Sequence, residues 1–196
     1  MRAPLTNSDA SQTSVARRVV DGLLEATVIG SFTDIGPKVR SRLFGWQPPG
    51  RLDGKVVVIT GGTSGIGRAL AEGAVARGAT VELVGRSPDK GERVAAEMGP
   101  TIAVGQDPPR FRKADVGDLD DVGALARDLM ADHPRIDVLA HVAGAIVAER
   151  TETAQRLEAT WASMVVGPFL LTDLLKRPLS QAKPGRVIWM TSGGMY

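Results

Sequence analysis

Short apolar runs alternate along the chain with longer segments whose apolar residues recur at helical spacing. An apolar run without polar alternation is typical of a strand buried on both faces of a sheet. The clearest such run is the four residues Val56–Ile59, and further strands are predicted at Thr80–Val84, Ile136–Ala140 and Arg186–Met190. A further strand is predicted between the second and the third run, either at Ile102–Val104 or at Phe111–Ala114. The pattern therefore predicts a sheet of five strands.

The segments between these runs have the amphipathic spacing of helices. Helices are predicted after the first strand, over Pro88–Met98, and after Asp118, which is placed to cap the third helix. The helix after the first strand is expected to keep four residues on one face: Ile66, Leu70, Gly73 and Ala74. A long helix is predicted from about Thr153 to Arg177, loosened at Pro168. Its expected apolar side consists of Leu157, Trp161, Met164, Leu171 and Leu175.

A glycine-rich turn follows the first strand and leads directly into a helix. Gly61 permits a sharp turn, Gly65 permits close approach of backbone to a phosphate, and Gly67 permits close packing of the helix on the sheet. The free N–H groups and the positive dipole end of that helix favour an anion. The turn therefore predicts a phosphate-binding loop, and a structural turn without any ligand is the alternative.

Alternation of strand and helix around such a loop predicts an α/β fold. We expect a Rossmann-like doubly wound parallel sheet of order 3-2-1-4-5 with right-handed crossovers. Residues 51–196 are assigned to this dinucleotide-binding domain, and residues 1–50 to an N-terminal helical arm and linker. The arm is amphipathic and ends in basic and aromatic residues, so it could contact a membrane surface. The alternative is that it packs on its own domain or on a second subunit.

The end of the second strand bears on the choice of dinucleotide. In such folds an acidic residue near this position binds the ribose hydroxyls of NAD, whereas a basic residue accommodates the 2′-phosphate of NADP. Gly85 offers no carboxylate, and Arg86 follows it. The sequence favours NADP, with NAD possible; an ordinary exposed arginine in a loop is the alternative.

The segment Thr60-Gly-Gly-Thr-Ser-Gly-Ile-Gly67 resembles the T-G-x-x-x-G-x-G signature of the short-chain dehydrogenases/reductases. The resemblance extends over roughly Lys55–Thr191, and the ending Arg-Val-Ile-x-x-Thr-Ser-Gly-Gly-Met is similar to the branch around dehydrogenase/reductase family member twelve. It implies that Asp115 and Val116 contact the adenine and that Ala143 and Gly144 pass beside the cofactor. The implied cofactor-binding residues are Gly61, Thr63, Ser64, Gly65, Ile66, Gly67, Arg86, Asp115, Val116, Ala143 and Gly144.

The family transfers hydride between a nicotinamide and a carbonyl or alcohol carbon, with a Tyr in Y-x-x-x-K as the acid/base. Ser192 falls on the position of the catalytic serine, whereas Met164 stands where the catalytic asparagine is expected. Val142 replaces an asparagine that ties the central strands, and Tyr196 is expected to be a chain-end residue. The resemblance implies an incomplete C-terminus and an impaired NAD(P)-dependent oxidoreductase. The alternative is a non-catalytic nucleotide-binding or interaction protein on the same scaffold.

Composition excludes some functions and leaves others open. The chain has no cysteine, which excludes disulfides and thiolate sites, and its two histidines lie in different predicted elements, so no metal is expected. A formal net charge of +2 does not favour nucleic acid. With neither a membrane-spanning run nor a signal-peptide pattern, we expect a cytoplasmic protein. The expected partners are a nicotinamide dinucleotide and a small carbonyl or alcohol substrate; a second copy of the chain is a further candidate.

Overall fold

The structure is a computed structural model that describes residues 19–20, 22–23, 35–46, 50–99, 106–144 and 149–191. The chain divides into two compact units, Met1–Gly50 and Arg51–Tyr196. The described part of the first unit contains helix α1, Ile35–Phe44. The second unit contains the sheet.

The second unit is built on five parallel strands in the order β3-β2-β1-β4-β5. The strands are β1 Val56–Thr60, β2 Thr80–Gly85, β3 Arg110–Lys113, β4 Val138–His141 and β5 Arg186–Trp189. This confirms the predicted doubly wound α/β fold and its strand order. Parallel neighbours require crossover connections, and the intervening helices supply them.

The helices of this unit lie on both faces of the sheet. They are α2 Gly65–Val75, α3 Pro88–Met98, α4 Leu119–Asp132, α5 Ala159–Trp161, α6 Gly167–Leu174 and α7 Lys176–Gln181, with a π-helical segment, Ala162–Val166, between α5 and α6. Val57 and Ile59 of β1 pack with α2 and α3, whereas Val58 packs with α4, α6 and α7. Successive β1 side chains thus enter opposite cores, which explains the unbroken apolar run.

The third strand settles the alternative left open by the sequence. Of the two candidate segments the second is correct: β3 spans Arg110–Lys113 and pairs with β2, Glu82 opposite Arg110 and Gly85 opposite Lys113. Residues 102–104 lie outside the described residues. Pairing with β2 defines this short strand, because its own sequence is mostly basic.

The prediction of one long helix over Thr153–Arg177 is wrong. Residues before Ala159 form a turn closed by a bridge between Glu152 and Glu158, and the Glu158 carboxylate caps α5 by accepting from the N–H groups of Thr160 and Trp161. The helix is then loosened as Pro168 predicts: the Gly167 N–H donates to Ala162, five residues back. A further helix, α7, begins after Leu175 and contains Pro178 in its first turn, where proline is tolerated.

Two predicted apolar faces also need correction. Ile66 is 62% exposed, and the inward face of α2 consists of Gly67, Ala71, Ala74 and Val75. In the segment predicted as the long helix, Trp161 and Met164 are exposed, whereas Leu171 and Leu175 are fully buried. Met164 lies within the π-helical segment, which changes the helical phase between Trp161 and the two buried leucines. A single helical stripe through all four residues therefore does not form.

Candidate dinucleotide site

A cavity of about 260 Å³ lies at the carboxyl ends of the central strands. It is bounded by the glycine-rich turn, the ends of β2 and β3, and the loop after β4. Eight predicted site residues line it: Gly61, Thr63, Ser64, Arg86, Asp115, Val116, Ala143 and Gly144. Ligands of open α/β sheets bind at this edge, at the point where the connections from two adjacent strands run to opposite faces of the sheet. The structure therefore brings these residues together in a suitable place for a nucleotide.

The glycine-rich turn is shaped by contacts that exclude larger side chains. Gly61 has φ +70° and donates its N–H to the Val84 carbonyl at 2.9 Å. A Cβ atom on Gly61 would lie 2.8 Å from the Cα and N of Ala143, and a Cβ on Gly67 would overlap the Gly61 carbonyl. Both positions therefore require glycine for packing, which agrees with the turning and helix-packing roles predicted for them.

Gly65 differs from Gly61 and Gly67. It has φ +52° and begins α2, and a Cβ there would have nothing within 4 Å. Gly65, Ile66 and Gly67 do not line the cavity itself; they form the first turn of α2 beside it. Ser64 precedes them with extended backbone, and its side chain makes no capping hydrogen bond. The first N–H groups of α2 remain available to an anion.

The loop after β4 is tied to β1 by the Thr60 hydroxyl. Its Oγ1 accepts the N–H groups of Val142 at 3.2 Å and of Ala143 at 3.3 Å. Val142 cannot supply a side-chain hydrogen bond in place of asparagine. The Thr60 contacts supply a different connection between the two central strands, and they hold Ala143 against the glycine-rich turn.

The end of β2 contributes positive charge to the cavity. Arg86 is exposed, and its Nη1 lies 3.9 Å from Oδ2 of Asp115. The other carboxylate oxygen of Asp115 accepts the N–H of Gly117 at 2.9 Å, and the Asp115 N–H donates to Asp121. Asp115 thus positions the loop after β3 while facing Arg86.

Sequence reasoning missed six residues that line the cavity: Val84, Gly85, Ser87, Lys90, Ala114 and Ser163. Lys90 is four residues after Arg86 and within the predicted helix Pro88–Met98, so helical spacing from the β2 end could have identified it. Ser163 could not be found this way, because the π-helical segment that places it was not predicted. Met164 follows it, and its Cε would lie 3.4 Å from a Cβ built on Gly144.

Glu82, which lies in the middle of β2, does not reach the cavity. Its side chain is fully buried and accepts from Arg112 Nε at 2.6 Å, from Arg112 Nη2 at 3.1 Å, and from His133 Nε2 at 2.7 Å. Burial alone would raise the pKa of Glu82, but the hydrogen bonds from His133 and Arg112 and their charge lower it overall. Glu82 therefore remains an ionised group held by its own partners.

His141 ends β4 beside the loop that lines the cavity. Its Nε2 lies 2.8 Å from the Thr172 hydroxyl, which itself donates to the Pro168 carbonyl, so Nε2 is assigned as the donor. The ring centroid lies 4.5 Å from that of Trp189, and Nδ1 is buried with no hydrogen-bond partner among the described residues. Burial lowers the pKa of His141 to about 4. The imidazole is therefore neutral at neutral pH.

Ser192 and Tyr196 both lie outside the described residues. The catalytic role of Ser192 therefore stays a prediction. Among the residues that the structure describes, no group of three or more His, Asp or Glu side chains is arranged to hold a metal ion. In the same part of the chain, every helix is too short or too polar to cross a bilayer.

Comparison with known proteins identifies the family. The model of the short chain dehydrogenase family matches residues 55–195, which is most of the chain. The chain belongs to this family. It is 42% identical over 149 residues to a candidate daunorubicin C-13 ketoreductase, DnrU, of Streptomyces sp. (strain C5), covering 76% of this chain and 50% of that protein.

Two further relatives are informative. Retinol dehydrogenase 12 of Bos taurus is 34% identical over 176 residues, which cover 89% of this chain and 55% of that protein. A metagenomic short-chain oxidoreductase solved in complex with NADP superposes with a TM-score of 0.60 at 29% identity, covering 69% of this chain and 60% of that one. The chain spans about half the length of these two curated relatives. The predicted resemblance to the short-chain dehydrogenases/reductases is confirmed.

Proposed function

We propose that the cavity at the carboxyl ends of β1, β2 and β4 binds NADP(H), and that the protein acts in hydride transfer between the nicotinamide and a carbonyl or alcohol carbon. The observation that carries this proposal is the convergence of the glycine-rich turn, Arg86 and the Ala143–Gly144 backbone on one cavity. The nicotinamide supplies the hydride-transfer chemistry when it is bound. Two relatives, a retinol dehydrogenase and a candidate ketoreductase, support this substrate class.

The glycine-rich turn fits the diphosphate of a dinucleotide. Open space beside Gly65, together with the unsatisfied N–H groups that begin α2, offers room and donors for a phosphate. In this proposal Asp115 and Val116 border the adenine, and Ala143 and Gly144 border the nicotinamide half. In this arrangement the chain binds and orients the cofactor mainly through backbone groups.

The charges near the end of β2 support NADP over NAD. A ribose hydroxyl pair needs a free carboxylate, and Glu82 is buried with Arg112 and His133. Asp115 faces Arg86. An exposed guanidinium at position 86 suits a 2′-phosphate, because guanidinium–phosphate pairs are charge-assisted and often bidentate.

Calorimetric titration of the purified chain with NADPH and with NADH tests this proposal. We expect saturable NADPH binding that weakens about tenfold or more in Arg86→Ala, since a charged hydrogen bond contributes about 1.5–3 kcal/mol. Arg93→Ala is the matched control, because Arg93 lies on α3 and faces Glu97. Failure of the folded wild-type chain to bind either dinucleotide would refute the proposal.

A second candidate function is non-catalytic nucleotide binding. Met164 favours it, because a thioether beside Gly144 cannot replace the hydrogen bonds of an asparagine. Oxidation of NADPH in the presence of a panel of ketones and aldehydes separates the two: substrate-dependent turnover supports the enzyme, and tight binding without turnover supports the non-catalytic protein. Homo-oligomerisation, contact of the arm with a membrane, and a cytoplasmic location stay predictions.

A further inference from the structure

We infer that Lys90 is a second phosphate-binding cation, which shares the 2′-phosphate of NADP(H) with Arg86 and sets the preference over NAD(H). This inference rests on the proposed function and deepens it. Lys90 lines the same cavity as Arg86, Ser87 and Thr63. The cavity therefore has two cationic side chains and two hydroxyl groups at the end of β2.

The ion pairs near Lys90 distinguish it from the arginines around it. Arg86 faces Asp115, Arg93 faces Glu97, and Arg68 pairs with both Glu72 and Glu97. Within the described residues, the ammonium of Lys90 has neither an ion pair nor a hydrogen bond. Its side chain is half-buried, so the hydration that compensates an unpaired surface lysine is reduced.

The position of Lys90 in α3 makes its charge unfavourable without a ligand. Lys90 is the third residue of the helix, where the aligned peptide dipoles disfavour a cation. Arg86 adds a second positive charge at the same cavity, and only the neighbouring Asp89 places an acid in the first turn of α3. A dianionic phosphate between the two cations would neutralise both and would also interact favourably with the helix end.

The two cations are suited to different parts of this task. Arg86 is 74% exposed, so its guanidinium can reach outward and form two parallel hydrogen bonds with a phosphate. Lys90 is a compact charge on a half-buried stem, and solvent screens its attraction less. Loss of Lys90 should therefore reduce phosphate recognition even when Arg86 is present.

The test compares wild type, Lys90→Gln, Lys90→Arg and the control Arg93→Gln by calorimetric titration with NADPH and with NADH. We expect Lys90→Gln to weaken NADPH binding about tenfold, as expected for one charge-assisted contact, and to change NADH binding less than about twofold. Lys90→Arg should restore most of the preference, and Arg93→Gln should leave both affinities unchanged. Raising the salt concentration should weaken NADPH binding more in wild type than in Lys90→Gln.

The outcomes separate this inference from the proposed function. In one outcome wild type binds NADPH tightly, and Lys90→Gln changes neither affinity or changes the affinities for NADPH and NADH equally. This outcome overturns the role of Lys90 and leaves the dinucleotide site intact. Binding of neither dinucleotide by folded wild type overturns both. Thermal unfolding of each variant identifies a loss of affinity that comes from misfolding, and Lys90→Arg then decides the question because it keeps the charge.

Discussion

The middle of strand β2 and its carboxyl end both gather charged side chains, but they use them differently. In the middle, Glu82 is fully buried between Arg112 and His133, and its carboxylate oxygens are satisfied inside the protein. At the end, Arg86 and Lys90 border a cavity, and within the described part of the chain the ion pair of Arg86 is a 3.9 Å contact with Asp115. A complete network stabilises the fold, whereas an incomplete one beside a cavity leaves charge for a ligand.

We expect the largest effect from a substitution that breaks the complete network in the middle of β2. Arg112→Met leaves the Glu82 carboxylate buried with His133 alone, so we expect a loss of about 3–5 kcal/mol in the free energy of unfolding. Urea unfolding measures it. Arg110→Met is the matched control on the same strand: Arg110 is half exposed and lies 4.0 Å from Asp132, so its loss should cost less than about 1 kcal/mol. Equal losses for the two variants would contradict a structural role for the network.

The next largest effect concerns His141, which is buried and, unlike Glu82, has no charged partner among the described residues. The unfolded chain protonates His141 near pH 6.5, whereas the folded protein, in which burial lowers the pKa of His141, takes up that proton only at about pH 4. Between these values the unfolded state binds more protons, so stability falls as the pH is lowered through this window. Across the whole window, His141 changes the free energy of unfolding by about 3 kcal/mol.

Unfolding of wild type and of His141→Asn at a series of pH values measures this effect. Carboxylates such as Glu82 and Asp137, whose pKa values are lowered in the fold, contribute equally to both proteins. The difference between the two curves therefore isolates His141. Parallel curves between pH 6.5 and pH 4 would contradict the burial of a neutral imidazole.

A smaller effect compares two glycines of the turn beside the end of β2. Gly61→Ala should cost about 2 kcal/mol in stability, because the left-handed backbone disfavours alanine and the new Cβ would meet Ala143. Gly65→Ala should cost about 1 kcal/mol, since only the backbone term applies. Urea unfolding gives both stabilities, and calorimetry with NADPH gives both affinities.

In the binding measurement Gly65→Ala is the more informative variant. We expect it to lose NADPH affinity while remaining folded, because its methyl group would occupy the open space assigned to the diphosphate. Unchanged affinity in Gly65→Ala would show that this space is not used by the cofactor.

Sequence patterns predicted the parts of the fold that local forces determine. The apolar run Val56–Ile59 lies within β1, and the helix Pro88–Met98 has the predicted bounds. Asp118 caps α4 by accepting the N–H groups of Asp120 and Asp121. Glycine spacing located the turn, since Gly61 and Gly67 are fixed by backbone contacts that a side chain would block.

Other parts depend on partners distant in sequence and were not predictable from local pattern. Glu82 looks like a polar interruption in an apolar strand until Arg112 and His133 meet it from 30 and 51 residues away. The predicted long helix fails because Glu158 caps a later start and Pro168 removes a donor. Helical spacing from Arg86 could have located Lys90, but the cavity that it lines is formed by segments distant in sequence.

The most direct test of the contrast within β2 is an amide chemical-shift map of the isotopically labelled chain, recorded during titration with NADPH. We predict saturable shifts at Gly65, at Arg86 and Lys90, at Asp115 and at Gly144, and little change at Glu82 and its partners. Shifts centred on Glu82, or the absence of any saturable shift from a folded chain, would contradict the assignment of the β2 end to the cofactor.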